Sequence, residues 1–264
     1  MTPNGDIAIF KRDTDRVGTR PALVLLPAFP FDHRMWEAVA RRFEGIPVIA
    51  VDPPGFGLSP LPEDTPSLEL YADLVAHAVR AEGVSSVVVC GNSMGGCAAM
   101  AMVERHPRLV RGIGLVGAHA SFDDPTVRAQ RTEMAITAFM GRAQEQLSDQ
   151  LLDMISVETD RRHPDLVQLM RSWIADAPDG AIAWSQRAMS QRPGRLEMLQ
   201  RAHVHGLVVR GEQDRFVSSQ QADQIAKALG ESYVTNVPRA GHLVPIEQPG
   251  PVARAIMGLY KRCL

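Results

Sequence analysis

A serine with glycines two positions away on either side is the first candidate for chemistry in this sequence. Residues 91–95 read GNSMG, after an apolar run at 86–90 and before a run of small residues. A strand, a sharp turn and a helix of this kind hold the central serine in a strained conformation, in which a Cβ at the flanking positions would collide with neighbouring backbone. The sequence therefore predicts Ser93 as a nucleophile, the alternative being a serine in an ordinary tight turn.

A serine hydroxyl also needs a base that takes its proton and a group that orients that base. Asp214 follows an apolar run at 204–210 and so falls at the carboxyl end of a predicted strand, where ligand chemistry gathers in open α/β sheets. His242 lies in the loop after a predicted last strand at 233–237. We predict that His242 is the general base and Asp214 its orienting acid.

Other carboxylates are alternatives for the acid. Glu212 is close to Asp214 in sequence but two residues nearer the strand. Asp123 and Asp124 follow the strand expected after the Ser93 turn, and they are the reserve candidates for orienting the base.

The elements that must position these residues are buried strands alternating with helices. Apolar residues at Leu70, Leu74, Val75, Ala78 and Val79 have the three- and four-residue spacing of an amphipathic helix. Strands joined by helices require crossover connections, which predict an α/β fold with a mainly parallel, doubly wound sheet. The predicted strands are residues 22–26, 47–51, 86–90, 110–116 and 204–210.

Residues 121–200 interrupt this alternation with helical patterns and no convincing strand. We predict a helical cap there, inserted into a core domain formed by residues 1–120 and 201–264. Adaptable methionines and aromatic residues suit a lid over a pocket, although a small helical core of its own would use the same types. The residues predicted to line the acyl pocket are Trp173, Trp184 and Met140 in the cap, and Val217 and Leu243 beside the loops of the acid and the base.

The chain resembles α/β-hydrolases that carry a helical cap. The residues that carry the resemblance span nearly the whole chain in family order. They are LLPAFPFDHRMW at 25–36, DPPGFGLS at 52–59, the Ser93 turn, GEQD at 211–214 and GH at 241–242.

The resemblance implies an oxyanion hole made by the main-chain amides of Phe29 and Met94. One departure bears on it: this chain has Pro27 and Ala28 where the family usually has His-Gly. Proline lacks an N–H and restricts its neighbours, so the loop can have another shape. The alternative is that the replacement accompanies a changed reaction.

The resemblance implies a serine hydrolase that cleaves a small-molecule carboxylic ester or lactone through an acyl-enzyme, with no metal or organic cofactor. Residues 31–36 and 242–249 resemble enol-lactonases and small-ester hydrolases, whereas 91–96 and 214–217 resemble hydrolases that cleave carbon–carbon bonds of vinylogous diketones. Carbon–carbon cleavage is therefore one alternative. A recruited lyase or cyclase, or a ligand-binding protein of this fold, is another.

Composition disfavours several other classes. The chain has 264 residues, 22% of them charged, and a net charge of -2, so it lacks the basic excess that nucleic-acid binding uses. Its cysteines are Cys90, Cys97 and Cys263, an odd number without metal-site spacing. With no apolar run of about 18 residues, we expect a cytoplasmic protein with no membrane partner. The oligomeric state is left open.

A few patterns imitate functional motifs. Residues 112–117 satisfy GxGxxG but lie inside a predicted strand, which argues against dinucleotide binding. His203 and His205 share a strand face without an evident third metal ligand. Asp52 is expected to cap the turn that follows it, and His33 is expected to pack in a loop.

Overall fold

A computed structural model describes residues 7–13, 20–230 and 234–264. Within them, seven strands form one sheet in the order β1-β3-β2-β4-β5-β6-β7, and β1 is antiparallel to β3 while the other neighbours are parallel. The strands are β1 Ile9–Arg12, β2 Ala22–Leu26, β3 Val48–Val51, β4 Val87–Asn92, β5 Val110–Val116, β6 His205–Gly211 and β7 Thr235–Val237.

Helices cover both faces of this sheet. Before β6 they are α1 Glu37–Ala40, α2 Leu68–Ala81, α3 Met94–Arg105, α4 Pro125–Phe139, α5 Ala143–Met154, α6 Val157–Arg162, α7 Pro164–Ala175, α8 Asp179–Ser190 and α9 Leu196–Arg201. After β6 they are α10 Ser219–Ala228, α11 Val244–Glu247 and α12 Pro249–Arg262. A short 3-10 helix, His33–Trp36, precedes α1.

Alternation along the central strands builds two hydrophobic layers. In β2, Leu23 and Leu25 face a cluster that includes α12 residues and much of the α4–α8 region. Ala22, Val24 and Leu26 face a second cluster with α2, α3 and α10. Because successive side chains of a strand point to opposite faces, the fully apolar run ALVLL is suited to a strand with helices on both sides.

The structure confirms the predicted fold class. Strands 22–26 and 110–116 have the predicted bounds, whereas β4 continues through Gly91 and Asn92 to the residue before Ser93. The last strand is Thr235–Val237, and Tyr233, which was predicted to belong to it, lies outside the described residues.

Strand β1 was missed because it has no apolar run. It reads IFKR, with Lys11 and Arg12 exposed, as suits an edge strand that blunts further pairing with charge. The antiparallel register pairs Ile9 with Val51 and Arg12 with Val48.

Between β5 and β6 the chain forms helices α4 to α9. The packing of α4 against α8 and of α5 against α7 gives this region internal contacts, while its apolar residues also join the clusters on the sheet. The division into a core and a cap at residues 121 and 200 stays a prediction. None of the helices in the described ranges is long and apolar enough to cross a bilayer.

Because α3 packs closely against β2, position 95 has no room for a side chain. A Cβ at Gly95 would lie 2.2 Å from the Leu26 carbonyl oxygen, a backbone atom that cannot swing away. We expect Gly95→Ala to lower the free energy of unfolding by about 3 kcal/mol or more, measured by urea denaturation. The matched control is Gly258→Ala in α12, where nothing lies within 4 Å of the added methyl. That variant should gain about 0.5–1 kcal/mol, and equal stability of the two variants would contradict the steric argument.

Candidate active site

Ser93 occupies a strained turn between β4 and α3. Its φ of 52° and ψ of -113° lie in a region that residues with a Cβ rarely adopt. The turn requires glycine at position 91, because the backbone before Ser93 and the backbone after it are in close contact. A Cβ at Gly91 would lie 2.1 Å from the Gly95 carbonyl oxygen. The Ser93 amide donates to the Val116 carbonyl at 2.9 Å, which fixes the turn against β5.

Asp214 and His242 form a buried hydrogen-bonded pair. The Nδ1 atom of His242 lies 3.0 Å from both carboxylate oxygens of Asp214, and the two residues are 4% and 6% exposed. The ring of Phe216 packs on the imidazole, with 4.9 Å between the ring centroids. The loops after β6 and β7 therefore meet at one point, although Asp214 and His242 are 28 residues apart.

The surroundings of Asp214 favour its ionised form. Burial by itself would raise the pKa of this carboxyl group, but the hydrogen bond from His242 and the electrostatic interaction with that residue lower it. The amides of Phe216 and Val217 also donate to Oδ1, at 2.8 and 3.1 Å. The net result is a lowered pKa, so Asp214 is a carboxylate at neutral pH.

Asn92 links the Ser93 turn to the His242 loop. Its Nδ2 donates to the Val116 carbonyl at 2.9 Å and to the His242 carbonyl at 3.1 Å. The Ser93 hydroxyl makes no hydrogen bond with a described residue, His242 included. The structure thus brings Asp214 and His242 into direct contact and connects Ser93 to them through neighbouring backbone. A loose nucleophile–base contact is common without substrate.

The two amides that are predicted to form the oxyanion hole are free to donate. Within the described ranges, neither the Phe29 amide nor the Met94 amide has a hydrogen-bond partner. The preceding amide, of Ala28, is taken by the Met35 sulfur at 3.0 Å. The Pro27–Ala28 replacement therefore leaves an unpaired amide at position 29, as an oxyanion hole requires.

The junction of α5 and α6, residues 154–159, contacts the His242 loop. The Met154 carbonyl accepts from the His242 amide at 2.8 Å. The buried carboxylate of Glu247 accepts from the Gly241 amide at 2.8 Å, and from the Ser156 amide and the Thr159 hydroxyl at 2.7 Å each. Glu247 thus joins this segment to the residue preceding His242. Sequence reasoning missed it, although a carboxylate within the apolar run LVPIE is a signal of a buried acceptor.

The alternative acids do not contact His242. Asp123 is paired with the Arg131 and Arg192 guanidinium groups. Asp124 caps α4 by accepting from the Thr126 and Val127 amides. Glu212 is exposed at the end of β6.

The predicted pocket-lining residues have different surroundings. Val217 and Leu243 are buried beside the loops of Asp214 and His242, and Trp184 is buried in the layer that contains Met94. Trp173 packs edge-on against Phe31. Met140 is 67% exposed at the end of α4, so the structure places it on the surface, where the chain turns after the helix.

Trp173 lines a cavity of about 350 Å³. Neither Ser93 nor His242 is among the residues that line this cavity. The cavity includes Asp32, His33 and Asp52, whose ligand-type atoms lie within 4.8 Å of one another. These groups already have partners: the Asp52 carboxylate accepts from the amides of His33 and Leu58 and contacts the His33 ring at 2.7 Å. Asp32 holds the Arg34 side chain. The cluster therefore ties the 52–58 turn to the 3-10 helix, which agrees with the turn-capping interpretation of Asp52.

The remaining imitation motifs have structural explanations. Gly112 and Gly114 lie within β5, where added methyl groups would contact Cys263 and Cys90 sulfur atoms at 2.5 Å. His203 and His205 belong to no cluster of metal-ligating side chains in the parts of the chain that the structure describes.

Comparison with known proteins agrees with this architecture. Residues 21–249 match the family described as the alpha/beta hydrolase fold, so the chain belongs to that family. A thermophilic esterase from Thermogutta terrifontis superimposes with a TM-score of 0.89 over 97% of this chain and 93% of the esterase, at 26% identity.

Two further relatives extend the comparison. The enol-lactonase from Burkholderia xenovorans LB400 has a TM-score of 0.84 over 97% of each chain, at 22% identity, which is a likeness of fold. The biotin biosynthesis bifunctional protein BioHC of Cellvibrio japonicus is 25% identical over 251 residues, which make up 92% of this chain. The match covers 48% of BioHC, so the chain spans about half the length of that relative. The predicted resemblance to the α/β-hydrolase family is confirmed.

The lowered pKa of Asp214 predicts a pH-dependent contribution to stability. The unfolded chain binds a proton at this carboxyl at a higher pH than the folded chain does. The advantage of the native protein over Asp214→Asn should therefore be complete above the ordinary aspartate range and disappear as pH falls through the lowered pKa. Urea unfolding of both proteins over a descending pH series measures it. A difference that stays constant into strong acid would contradict the assignment.

The three donors on Glu247 predict a large cost for removing its carboxylate. Glu247→Ala should lower the free energy of unfolding by about 1–3 kcal/mol for each buried donor left without a partner. Thermal or urea unfolding gives the value. The control is Glu197→Ala, whose side chain is 86% exposed and whose effect should stay within about 0.5 kcal/mol. Equal effects of the two substitutions would show that Glu247 does not hold the loop.

Proposed function

We propose that this chain is a Ser-His-Asp hydrolase that cleaves a small-molecule carboxylic ester or lactone through an acyl-enzyme on Ser93. The observation that carries the proposal is the buried Asp214–His242 pair at the edge of the sheet where the strained Ser93 turn also lies. Family membership and the esterase relative support hydrolysis.

The base chemistry follows from the hydrogen bond at Nδ1. Because His242 Nδ1 faces a carboxylate, it carries the proton, and Nε2 is left as the lone-pair acceptor. Nε2 takes the Ser93 proton as the hydroxyl attacks the ester carbonyl. The ionised Asp214 stabilises the imidazolium that forms, and its hydrogen bond keeps the ring in this tautomer.

The developing oxyanion has two donors. The unpaired amides of Phe29 and Met94 are the proposed donors, and Met94 is also the first residue of α3, whose dipole favours negative charge. When the tetrahedral intermediate collapses, His242 gives its proton to the departing alkoxide. A water that the same imidazole deprotonates then attacks the acyl-enzyme and releases the acid.

The chemistry of the steps requires only these side chains and amides, and no step uses a metal or an organic cofactor. A small-molecule ester or lactone is the proposed partner, with acyl contacts from the buried Val217, Leu243 and Trp184. The exposed Met140 is not part of this proposal.

The proposal predicts covalent labelling of one serine. A fluorophosphonate probe should label Ser93, and Ser93→Ala should abolish both labelling and p-nitrophenyl butyrate hydrolysis, with a loss of at least about 1000-fold in turnover. Intact-mass measurement and the release of p-nitrophenol are the readouts. Ser172→Ala, at an exposed serine in α7, is the matched control and should retain both properties.

Other outcomes would favour the alternative reactions. Turnover of a chromogenic dienoate diketone without turnover of p-nitrophenyl esters would point to carbon–carbon cleavage. A folded protein that forms no adduct and hydrolyses neither substrate would overturn the nucleophilic role of Ser93. His242→Ala should be as inactive as Ser93→Ala, and the double variant no worse, since the two residues act as a unit.

A further inference from the structure

The loop after β5 carries a second histidine, His119, to the neighbourhood of the Ser93 turn. A Cβ at Gly117 would lie 3.1 Å from the His242 carbonyl oxygen and 3.2 Å from Asp214 Oδ2. The next residue, Ala118, packs against the first turn of α3, because a Cβ at Gly96 would lie 2.5 Å from the Ala118 methyl. His119 follows directly, and its carbonyl oxygen lies 3.9 Å from the Cys97 sulfur in the first turn of α3.

Arg192, in the segment after α8, is held in one orientation beside His119. It is 3% exposed. Its two terminal nitrogens donate to the two oxygens of Asp123, at 2.5 and 2.6 Å, and Nη1 also donates to the Met189 carbonyl at 3.0 Å. Asp123 accepts a further hydrogen bond from Arg131 at 2.6 Å. A bidentate pair of this kind leaves the guanidinium little freedom to turn.

The contact with Arg192 decides which nitrogen of His119 carries the proton. Arg192 Nη2 lies 3.0 Å from His119 Nε2. A guanidinium can only donate, so Nε2 must present its lone pair, and the neutral ring then has its hydrogen on Nδ1. Burial, and next the charge of Arg192, lower the pKa of His119 to about 4, so this neutral tautomer persists at neutral pH.

Among the residues that the structure describes, none accepts the Nδ1 hydrogen of His119. The atom is buried and finds no hydrogen-bond partner in the part of the chain that the structure describes. A buried donor left unpaired is costly, and each such group in a native protein calls for an explanation, such as a catalytic role or a hydrogen bond to a water, an ion or a ligand. Residues 117–119 run from the Asp214–His242 pair to the first turn of α3, so a partner of this ring would lie beside the reaction site.

We propose that His119 is a specificity-determining residue that donates its Nδ1 hydrogen to a second oxygen on the acyl part of the substrate. This inference rests on the proposed hydrolysis at Ser93. The scissile carbonyl has its own donors in the Phe29 and Met94 amides, so the oxygen that His119 binds is an additional one. The acyl side is favoured because the His119 carbonyl contacts Cys97 in the first turn of α3, and the Met94 amide at the start of that helix is the proposed donor to the acyl carbonyl. The favoured substrates are therefore esters or lactones with a ketone-type oxygen in the acyl chain.

Matched esters test the substrate class. We compare p-nitrophenyl hexanoate with two isosteric esters that carry a ketone in the middle or near the end of the acyl chain. The wild-type protein should hydrolyse at least one ketone ester with a kcat/KM about tenfold higher than that of hexanoate, the worth of one good hydrogen bond to a buried donor.

Two variants distinguish the effect of the Nδ1 donor of His119 from the effect of the contact between its Nε2 and Arg192. Gln at position 119 keeps an acceptor for Arg192 but places no donor where Nδ1 lies, whereas Asn keeps a donor near Nδ1 but loses the acceptor. His119→Gln should lose the preference for the ketone ester while hexanoate turnover stays within about threefold, since its reacting groups are untouched. His119→Asn should retain part of the preference. A purely structural role would instead reduce both substrates together, with the greater loss in His119→Asn.

The tautomer has a readout that does not depend on activity. Long-range nitrogen–proton NMR of the imidazole should show the neutral Nδ1–H form of His119 at neutral pH in the full-length protein. The Nε2–H form or a protonated ring there would overturn the inference.

The outcomes distinguish this inference from the proposed function. Hydrolysis of hexanoate with no preference for either ketone ester, or with a preference that His119→Gln retains, rejects the role of His119 and leaves Ser93 as the nucleophile. No hydrolysis of any ester rejects the hydrolysis at Ser93, and the substrate assignment falls with it.

Discussion

The close approach of α3 to β2 and β4 is the constraint on which the rest of the site depends. The carbonyls of Leu26 and Gly95 lie where Cβ atoms of Gly95 and Gly91 would be. This contact holds the turn in which Ser93 has a positive φ, between the end of β4 and the start of α3. The strain in the turn is thus offset by packing on both sides and by the hydrogen bond from the Ser93 amide to the Val116 carbonyl.

Around that turn, the histidine is held from several directions by groups far apart in the chain. The Asp214 carboxylate hydrogen-bonds to Nδ1 of the imidazole, and the Asn92 side chain donates to the His242 carbonyl. The Met154 carbonyl accepts from the His242 amide. Glu247 adds a buried carboxylate that joins the preceding glycine to residues 156 and 159. The α5–α6 region is therefore attached to the loop of the base, and the imidazole has little freedom to leave the sheet edge.

The other end of the helical region is attached by charges. Arg192 pairs with Asp123, and the buried Arg195 pairs with Glu69 of α2 and Glu104 of α3. Burying guanidinium groups costs desolvation free energy that their carboxylate partners must offset. The Arg195 pairs link the segment after α8 to α2 and α3, and the Arg192–Asp123 pair fixes the guanidinium group beside His119.

The sequence by itself determined the sheet, because apolar runs and helical periodicity are local signals, and it pointed to Ser93, Asp214 and His242 because motif order reflects strand order. It could not reveal β1, because this polar edge strand is identified by its pairing with β3 and not by an apolar run. It also did not reveal that Met140 is exposed. Glu247, Asn92 and His119 also escaped, because their importance lies in partners up to 150 residues away. Only the tertiary structure decides such contacts, since the hydrogen-bonding state of a buried polar group depends on which distant backbone folds against it.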